Sequence, residues 1–95
     1  DKIKGAVCKA YKTEEADLYV SRRGHFNEPR NVAVYLVRHL RNETLKTIGR
    51  QFRIEKYSTV SSIVEKVKYE MKADKGLRKR VQNLAAKLSN SQRQT

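Results

Sequence analysis

Apolar residues recur at helical spacing along most of this chain, in short segments separated by polar stretches. The inward-facing sets predicted from this spacing are Ile3, Val7 and Ala10; Leu18; Val32, Leu36 and Leu40; Leu45, Ile48 and Phe52; Val60, Ile63, Val64, Val67 and Met71; and Leu77, Val81, Leu84 and Leu88. One proline and four glycines supply little material for the many turns of a β-sandwich. The pattern therefore predicts an all-α fold, with one helix for each set.

Side chains suited to helix capping mark where several of these helices begin. Thr13, followed by acidic residues, predicts a short second helix that ends near Val20. Asn27 precedes Glu28 and Pro29, a sequence typical of a helix start, and Thr44 and Asp74 are placed to cap two later helices. Ninety-five residues suffice for one modest core, so we expect a single domain over 1–88 and a polar, frayed tail over 89–95.

The helix after Asn27 is predicted to carry a cationic stripe on the side opposite its apolar residues. Asn31, Val34, Arg38 and Arg41 share that side, and Arg30 lies beside them. No acidic residue interrupts the stripe, which favours phosphate binding over simple solvation.

The segment from Arg50 to Val60 is the most informative part of the sequence. A short helix ends, a turn of residues 53–56 follows, and a second amphipathic helix begins with small hydroxyl side chains. Gly49 in the first helix costs about 1 kcal/mol relative to alanine, which close approach of a neighbouring helix would explain. This layout predicts a helix-turn-helix whose second helix, residues 57–73, enters a DNA groove.

The charge distribution supports binding to nucleic acid. The net charge is +12, and the first twenty residues are neutral, with four lysines against four acidic residues. The whole excess therefore comes from Ser21 onward. Such an excess is suited to sequence-independent attraction of phosphates, although charge kept only for solubility is the alternative.

Other kinds of chemistry find little support in the sequence. Cys8, the only cysteine, excludes an intramolecular disulfide, favours an intracellular setting and is expected to be buried. His25 and His39 lack partners at ligand spacing, so neither a metal nor another cofactor is expected. No catalytic grouping of serine, histidine and acid occurs, and no apolar run approaches the roughly 18 residues that cross a bilayer. We expect no enzyme activity, membrane insertion or small-molecule substrate.

Four stretches of the chain resemble the C-terminal DNA-binding domain of the bacterial replication initiator DnaA. They are Arg22-Arg23, the residues from Pro29 to Leu36, the run from Leu45 to Phe52, and Tyr57-Ser58-Thr59-Val60, which falls where that family has a His-Thr-Thr-Val type signature. The resemblance covers nearly the whole chain. It implies a fold of about six helices in the Trp-repressor-like class and a location in the bacterial cytoplasm, on the nucleoid.

Two departures point to a variant of that family. Lys56 and Tyr57 stand where the family normally has an acidic residue and a histidine. Together with Arg-Arg-Gly, Asn-Glu-Pro-Arg-Asn and Tyr-Ser-Thr-Val-Ser-Ser, they are more similar to the related domain of transposase-like proteins of the REP-associated group. The start at Asp1 then fits a piece of a longer protein with an upstream nuclease domain. The alternative is origin binding, with an upstream ATPase domain.

Carried over position by position, the resemblance implies two sets of contacts to double-stranded DNA. Base contacts are expected from Arg22 in the minor groove and, in the major groove, from Lys56, Tyr57, Ser58, Thr59 and Ser62. Phosphate contacts are expected from Arg23, Arg30, Asn31, Arg38, Arg41, Leu45, Lys46 and Lys66. Lysine suits the acceptors of guanine, and the methyl group of threonine suits thymine.

Three points stay open at the level of sequence. Ser58 also fits the cap of its helix, and a capping oxygen has less freedom to meet a base. Glu65 lies on the predicted DNA side, where it either pairs with Lys66 or Lys68, lies beyond the groove, or accepts from cytosine. RNA, structured nucleic acid or an acidic protein are alternative partners, for which Tyr57 and Tyr69 are the aromatic side chains expected on the exposed face.

Overall fold

The computed structural model describes residues 2–20 and 27–93, with side chains up to Ser89. These ranges form α1 (Lys2–Tyr11), a 3₁₀ helix (Glu15–Tyr19), α2 (Glu28–Arg41), α3 (Leu45–Gln51), α4 (Tyr57–Ala73) and α5 (Lys75–Arg93). The all-α class is confirmed. The expected count of about six α-helices is corrected to five in the described ranges, because the second segment is a single 3₁₀ helix. None of the described helices is long and apolar enough to cross a membrane.

Helix α2 lies at the centre of the domain and packs against every other described element. Its buried residues therefore extend around most of its circumference: Asn31, Val32, Ala33, Val34, Leu36 and Val37. The predicted cationic stripe on α2 is wrong in part, since Asn31 is 4% exposed and Val34 is fully buried. A helix enclosed by five neighbours has no continuous polar side, and its periodicity does not reveal this.

The core collects most of the residues that the spacing predicted. Its fully buried large side chains include Phe52, Ile3, Leu18, Leu36 and Ile48. The last predicted set, from Leu77 to Leu88, is also buried within the domain rather than presented as a coiled-coil seam. Some predicted members lie only at the edge of the core, namely Leu40, Leu45 and Met71, and Cys8 is half-buried rather than buried. Ala10 is exposed.

Three of the predicted caps are confirmed by hydrogen bonds. The Asn27 side chain accepts from the N–H of Arg30 at 3.2 Å, Thr44 Oγ1 accepts from Thr47 at 3.1 Å, and Asp74 Oδ1 accepts from Leu77 at 3.1 Å. Each satisfies an N–H that the helix itself leaves unpaired.

Other helix ends differ from the prediction. The N-cap position of α4 is Lys56, so Ser58 lies inside the helix and is not its cap. Glu14 rather than Thr13 occupies the cap position of the 3₁₀ helix. Helix α5 extends to Arg93, and the domain boundary expected at residue 88 stays a prediction.

An ion-pair cluster, here called the Glu28 clasp, joins the ends of α1, α2 and α5. It consists of Tyr11, Glu28 and Arg80. The Arg80 guanidinium donates to both Glu28 carboxylate oxygens, from Nε at 3.0 Å and from Nη2 at 3.2 Å. The Tyr11 hydroxyl donates to the same carboxylate. Burial, followed by the hydrogen bond to Glu28, raises the pKa of Tyr11 well above its ordinary value.

The turn between α3 and α4 is built around Gly49. Its carbonyl accepts from the N–H of Ile54 at 2.7 Å, which folds the chain back after α3. A Cβ at Gly49 would lie 2.9 Å from the carbonyl oxygen of Ile54 and 3.7 Å from Val60 Cγ2. The close approach expected at Gly49 is confirmed, and its nearest partner is the backbone of the turn rather than the neighbouring helix. Glycine is required here because a side chain has no room.

Candidate nucleic-acid interface

The start of α4 presents a group of polar side chains, here called the recognition row: Lys56, Tyr57, Ser58, Thr59 and Ser62. All five residues are exposed, and Tyr57 is 65% exposed. The opposite side of α4 is fixed in the core by Val60, Ile63, Val64 and Val67. Because α4 is anchored along that side, the recognition row projects from a rigid element, as a helix entering a DNA groove requires.

The recognition row is not engaged elsewhere in the described part of the chain. Its five side chains have no hydrogen bond or ion pair to another described residue. Their donors and acceptors are therefore available to a ligand. Lysine, tyrosine, serine and threonine together offer donors, acceptors and a methyl group, which is the chemistry needed to distinguish base pairs in the major groove.

Arg30 and Asn31, two predicted phosphate ligands, contact each other in the structure. Asn31 is only 4% exposed and offers little surface to a phosphate, and its predicted phosphate contact stays a prediction. Its Oδ1 instead accepts from Nε of Arg30 at 3.1 Å. Arg30 is half-buried, and this burial lowers the pKa of its guanidinium. The bond to Asn31 fixes the orientation of a cation that remains accessible at the surface.

Two of the predicted phosphate ligands, Arg38 and Leu45, line a concave surface at the α2–α3 junction. A cleft of about 320 Å³ is lined by residues of α2, the start of α3 and the middle of α4, including Arg38, Leu45 and Lys68. Arg38 is half-buried, and its Nη1 donates to the carbonyl of Glu43 at 2.6 Å, so part of its donor capacity holds the α2–α3 connection. Arg41 and Lys46 are exposed nearby in the sequence, at the end of α2 and the start of α3.

One of the two acidic residues of α4, Glu65, is paired with a neighbouring lysine. Glu65 Oε1 lies 3.4 Å from Lys68 Nζ, with both side chains more than half exposed. Of the alternatives left open for Glu65, the structure shows the pairing with Lys68. An exposed pair of this kind contributes little to stability, but it lowers the repulsion that an isolated carboxylate would exert on a phosphate backbone. Lys66, the next residue, is exposed.

Arg22 and Arg23 lie outside the described residues, and their contacts stay predictions. One basic residue that sequence reasoning assigned only to the turn acquires a different place in the structure. Arg53 lies over the ring of Tyr19, with its guanidinium carbon 4.4 Å from the ring centroid. The only sequence signal for this role of Arg53 was a basic residue inside the turn of a helix-turn-helix. Neither periodicity nor capping distinguishes such a residue from its neighbours.

A short helix, a tight turn and a second helix with an exposed polar start define a helix-turn-helix DNA-binding domain. Comparison with known families agrees: the family described as bacterial dnaA protein helix-turn-helix matches residues 1–67. The chain belongs to this family. The domain accordingly binds double-stranded DNA and is not catalytic.

Individual proteins named as DnaA are similar to this chain along almost its whole length. The chromosomal replication initiator protein DnaA of Acholeplasma laidlawii (strain PG-8A) is 34% identical over 91 residues, which cover 95% of this chain and 20% of that protein. The protein of the same name from Methylacidiphilum infernorum (isolate V4) is 32% identical over 91 residues, with the same two coverages. That of Limosilactobacillus reuteri (strain DSM 20016) is 31% identical over 87 residues, 90% of the chain and 20% of that protein. The chain thus spans about a fifth of the length of these relatives.

Proposed function

We propose that this domain recognises a specific sequence in double-stranded DNA by placing the recognition row in the major groove. The observation that carries this proposal is the combination of five exposed, unengaged polar side chains with a helix whose other side is locked in the core. Base contacts specify a site only when the contacting side chains are held in a fixed position.

Phosphate contacts on either side of the row set the register. Arg30, Arg41, Lys46 and Lys66 are the proposed side-chain ligands, with Arg38 contributing the donors that Glu43 leaves available. Leu45 would act through the backbone at the start of α3, where the Thr44 cap already occupies the N–H of Thr47. Such contacts raise affinity for every sequence alike and make binding depend on salt.

We further propose that the domain is part of a longer, transposase-like protein that also contains a nuclease domain. What supports this is the pair Lys56 and Tyr57, both exposed at the start of α4, where initiators carry an acidic residue and a histidine. A lysine and a tyrosine offer guanine and thymine different contacts from those of an acid and a histidine. The preferred site would therefore differ from that of an initiator.

Binding at a replication origin is the second candidate, because the relatives are named chromosomal replication initiator proteins. A competition between an ordinary duplex and a hairpin with the same stem sequence separates the two. Preference for the hairpin supports the transposase-like role, and equal or weaker binding to the hairpin supports the initiator role. RNA of the same sequence serves as the third competitor. Preference of the domain for this RNA would contradict both the transposase-like role and the initiator role.

Selection of bound duplexes from a random pool tests the specific recognition itself. The wild type should enrich a defined sequence at physiological salt. The double variant S58A/T59A should enrich it at least about thirtyfold less, since each of the two lost base contacts costs about 1–3 kcal/mol of discrimination. The matched control Q82A/N83A changes two exposed polar residues of α5 and should leave the enriched sequence unchanged. Enrichment of no sequence by the wild type would contradict the proposal.

A further inference from the structure

A small concave surface lies beside the recognition row, on the side of the α3–α4 turn. This cleft, here called the Arg53 cleft, has a volume of about 280 Å³. The polar residues that line it are Tyr19, Arg30, Arg53, Glu55, Lys56 and Thr59. Two of them, Lys56 and Thr59, also belong to the recognition row. A group bound in the cleft would therefore sit directly next to the bases that α4 meets.

The charge of the Arg53 cleft is strongly positive. Three of its lining residues, Arg30, Arg53 and Lys56, are cations that come from two distant parts of the sequence, and Glu55 is the one acidic residue among them. No ion pair links any of the three cations to an acid in the ranges that the structure describes. Cations gathered around one concavity without internal acidic partners repel one another, and an anion in the cleft relieves that repulsion.

Arg53 is held in place by an unusual backbone and by a tyrosine ring. Its φ angle is 57°, in the left-handed region that glycine occupies without strain and other residues avoid. Its guanidinium lies over the Tyr19 ring.

Tyr19 is itself held by hydrogen bonds to α1 and to its own 3₁₀ helix. Its hydroxyl accepts from Lys4 Nζ at 2.9 Å and donates to Glu15 at 3.0 Å. Lys4 also donates to the carbonyl of Gln51 at 2.7 Å, which ties α1 to the end of α3. The ring that supports Arg53 is therefore part of a rigid network, and the guanidinium loses little further freedom on binding an anion.

We propose that Arg53, together with Arg30, holds one phosphate of the DNA backbone in the Arg53 cleft, beside Lys56 of the recognition row. This inference rests on the proposed DNA binding and adds a contact from the turn that the predicted phosphate ligands do not include. Arginine suits this role because its planar group binds phosphate oxygens in pairs while stacking on an aromatic ring.

The test compares R53G with a matched control, K12G. Lys12 is also an exposed cation with a left-handed backbone, at φ 53°, and it does not line the cleft. Both variants remove one positive charge and relieve similar backbone strain. Affinity for a duplex taken from the random-pool selection is measured by fluorescence anisotropy at several salt concentrations, after circular dichroism has shown that each variant is folded.

R53G should weaken binding about tenfold and lower the slope of log affinity against log salt by about one, for all duplex sequences alike. K12G should keep the slope of the wild type, because it changes the net charge without removing a phosphate contact. R53K keeps the charge and should keep the slope, while R53Q removes the charge, should lower the slope as R53G does, and provides a second variant if R53G folds poorly. Equal slopes for R53G and K12G would overturn the inference.

A scan of methylphosphonate substitutions, each of which neutralises one phosphate of the duplex, locates the contact. The wild type should lose affinity strongly at one position flanking the recognised bases, and R53G should be insensitive at that position alone. A loss at that position as large in R53G as in the wild type would refute the contact by Arg53 while leaving the DNA-binding proposal intact. Failure of the wild type to bind any duplex would instead contradict the proposed function.

Discussion

Arg80 and Arg53 are both exposed arginines, and the structure uses them in opposite ways. Arg80 donates to both oxygens of Glu28 and so closes the Glu28 clasp between α2 and α5. Arg53 lies on the ring of Tyr19 and has no acidic partner in the described parts of the chain. One guanidinium has its donors occupied by the fold, and the other keeps its donors for a ligand.

This difference shows why a net charge of +12 does not identify a binding surface. A cation that is paired inside the protein adds to the sequence total without attracting a phosphate at short range, while its loss weakens the fold. An unpaired cation attracts a phosphate at short range, and its loss leaves the fold intact. Substitution of either arginine should therefore affect stability or DNA affinity, but not both.

The largest expected effect is at Gly49, which sets the geometry of the binding region. In G49A the new Cβ would lie 2.9 Å from the Ile54 carbonyl oxygen, so the turn must shift. We expect a loss of about 2 kcal/mol in the free energy of unfolding, typical of an overpacked site, and weaker DNA binding because the recognition row moves. Urea denaturation followed by circular dichroism measures the first effect.

Gly5 provides the control for that substitution. A Cβ at this position in α1 meets nothing within 4 Å. G5A should therefore raise the stability by about 0.5–1 kcal/mol, the gain expected for alanine over glycine inside a helix. Destabilisation by G5A, or a neutral G49A, would contradict the account of the turn.

A smaller effect is expected from opening the Glu28 clasp. R80A leaves Glu28 with the Tyr11 hydroxyl as its remaining partner in the clasp, and should cost about 1 kcal/mol of stability, the upper end for a partly exposed pair. Its affinity for duplex DNA, per folded molecule, should match that of the wild type. R78A, which removes an exposed arginine of α5 with no described ion pair, should change neither quantity. A larger loss of DNA affinity in R80A than in R78A would contradict the claim that Arg80 serves the fold and not DNA binding.

The smallest predicted effect is a dependence of stability on alkaline pH. The pKa of Tyr11 is raised in the folded state above its ordinary value of 10, so the unfolded chain loses this proton first as pH rises. The contribution is complete below pH 10 and decreases above it. Y11F should therefore show a shallower fall of the midpoint of urea unfolding above pH 10 than the wild type. Parallel pH profiles for the two proteins would contradict the clasp as described.

Local features of this fold were predictable from the sequence where a single segment decides them. The caps Asn27, Thr44 and Asp74 need only a side chain and the first turn of their own helix, and the bounds of α4 follow from one amphipathic run. The helix-turn-helix could likewise be predicted because Gly49 and the turn are close together in sequence.

Features that depend on packing between distant segments were not predictable in the same way. Asn31 and Val34 are buried because α2 has neighbours on almost every side, a property of the assembled fold and not of its own periodicity. Arg53 meets Tyr19 across more than thirty positions of sequence, in a backbone conformation that its residue type disfavours. Among the proposed site residues, the recognition row follows from sequence and the Arg53 cleft does not.

The central claim is that the start of α4 meets the bases, and an NMR titration tests it most directly. The ¹⁵N-labelled domain is titrated with the duplex from the random-pool selection, and amide shift changes are recorded along the chain. The largest changes should fall on residues 56–62 and on Arg53, with small changes around the Glu28 clasp. Largest changes along α5 or the end of α1, with residues 56–62 unmoved, would contradict the account.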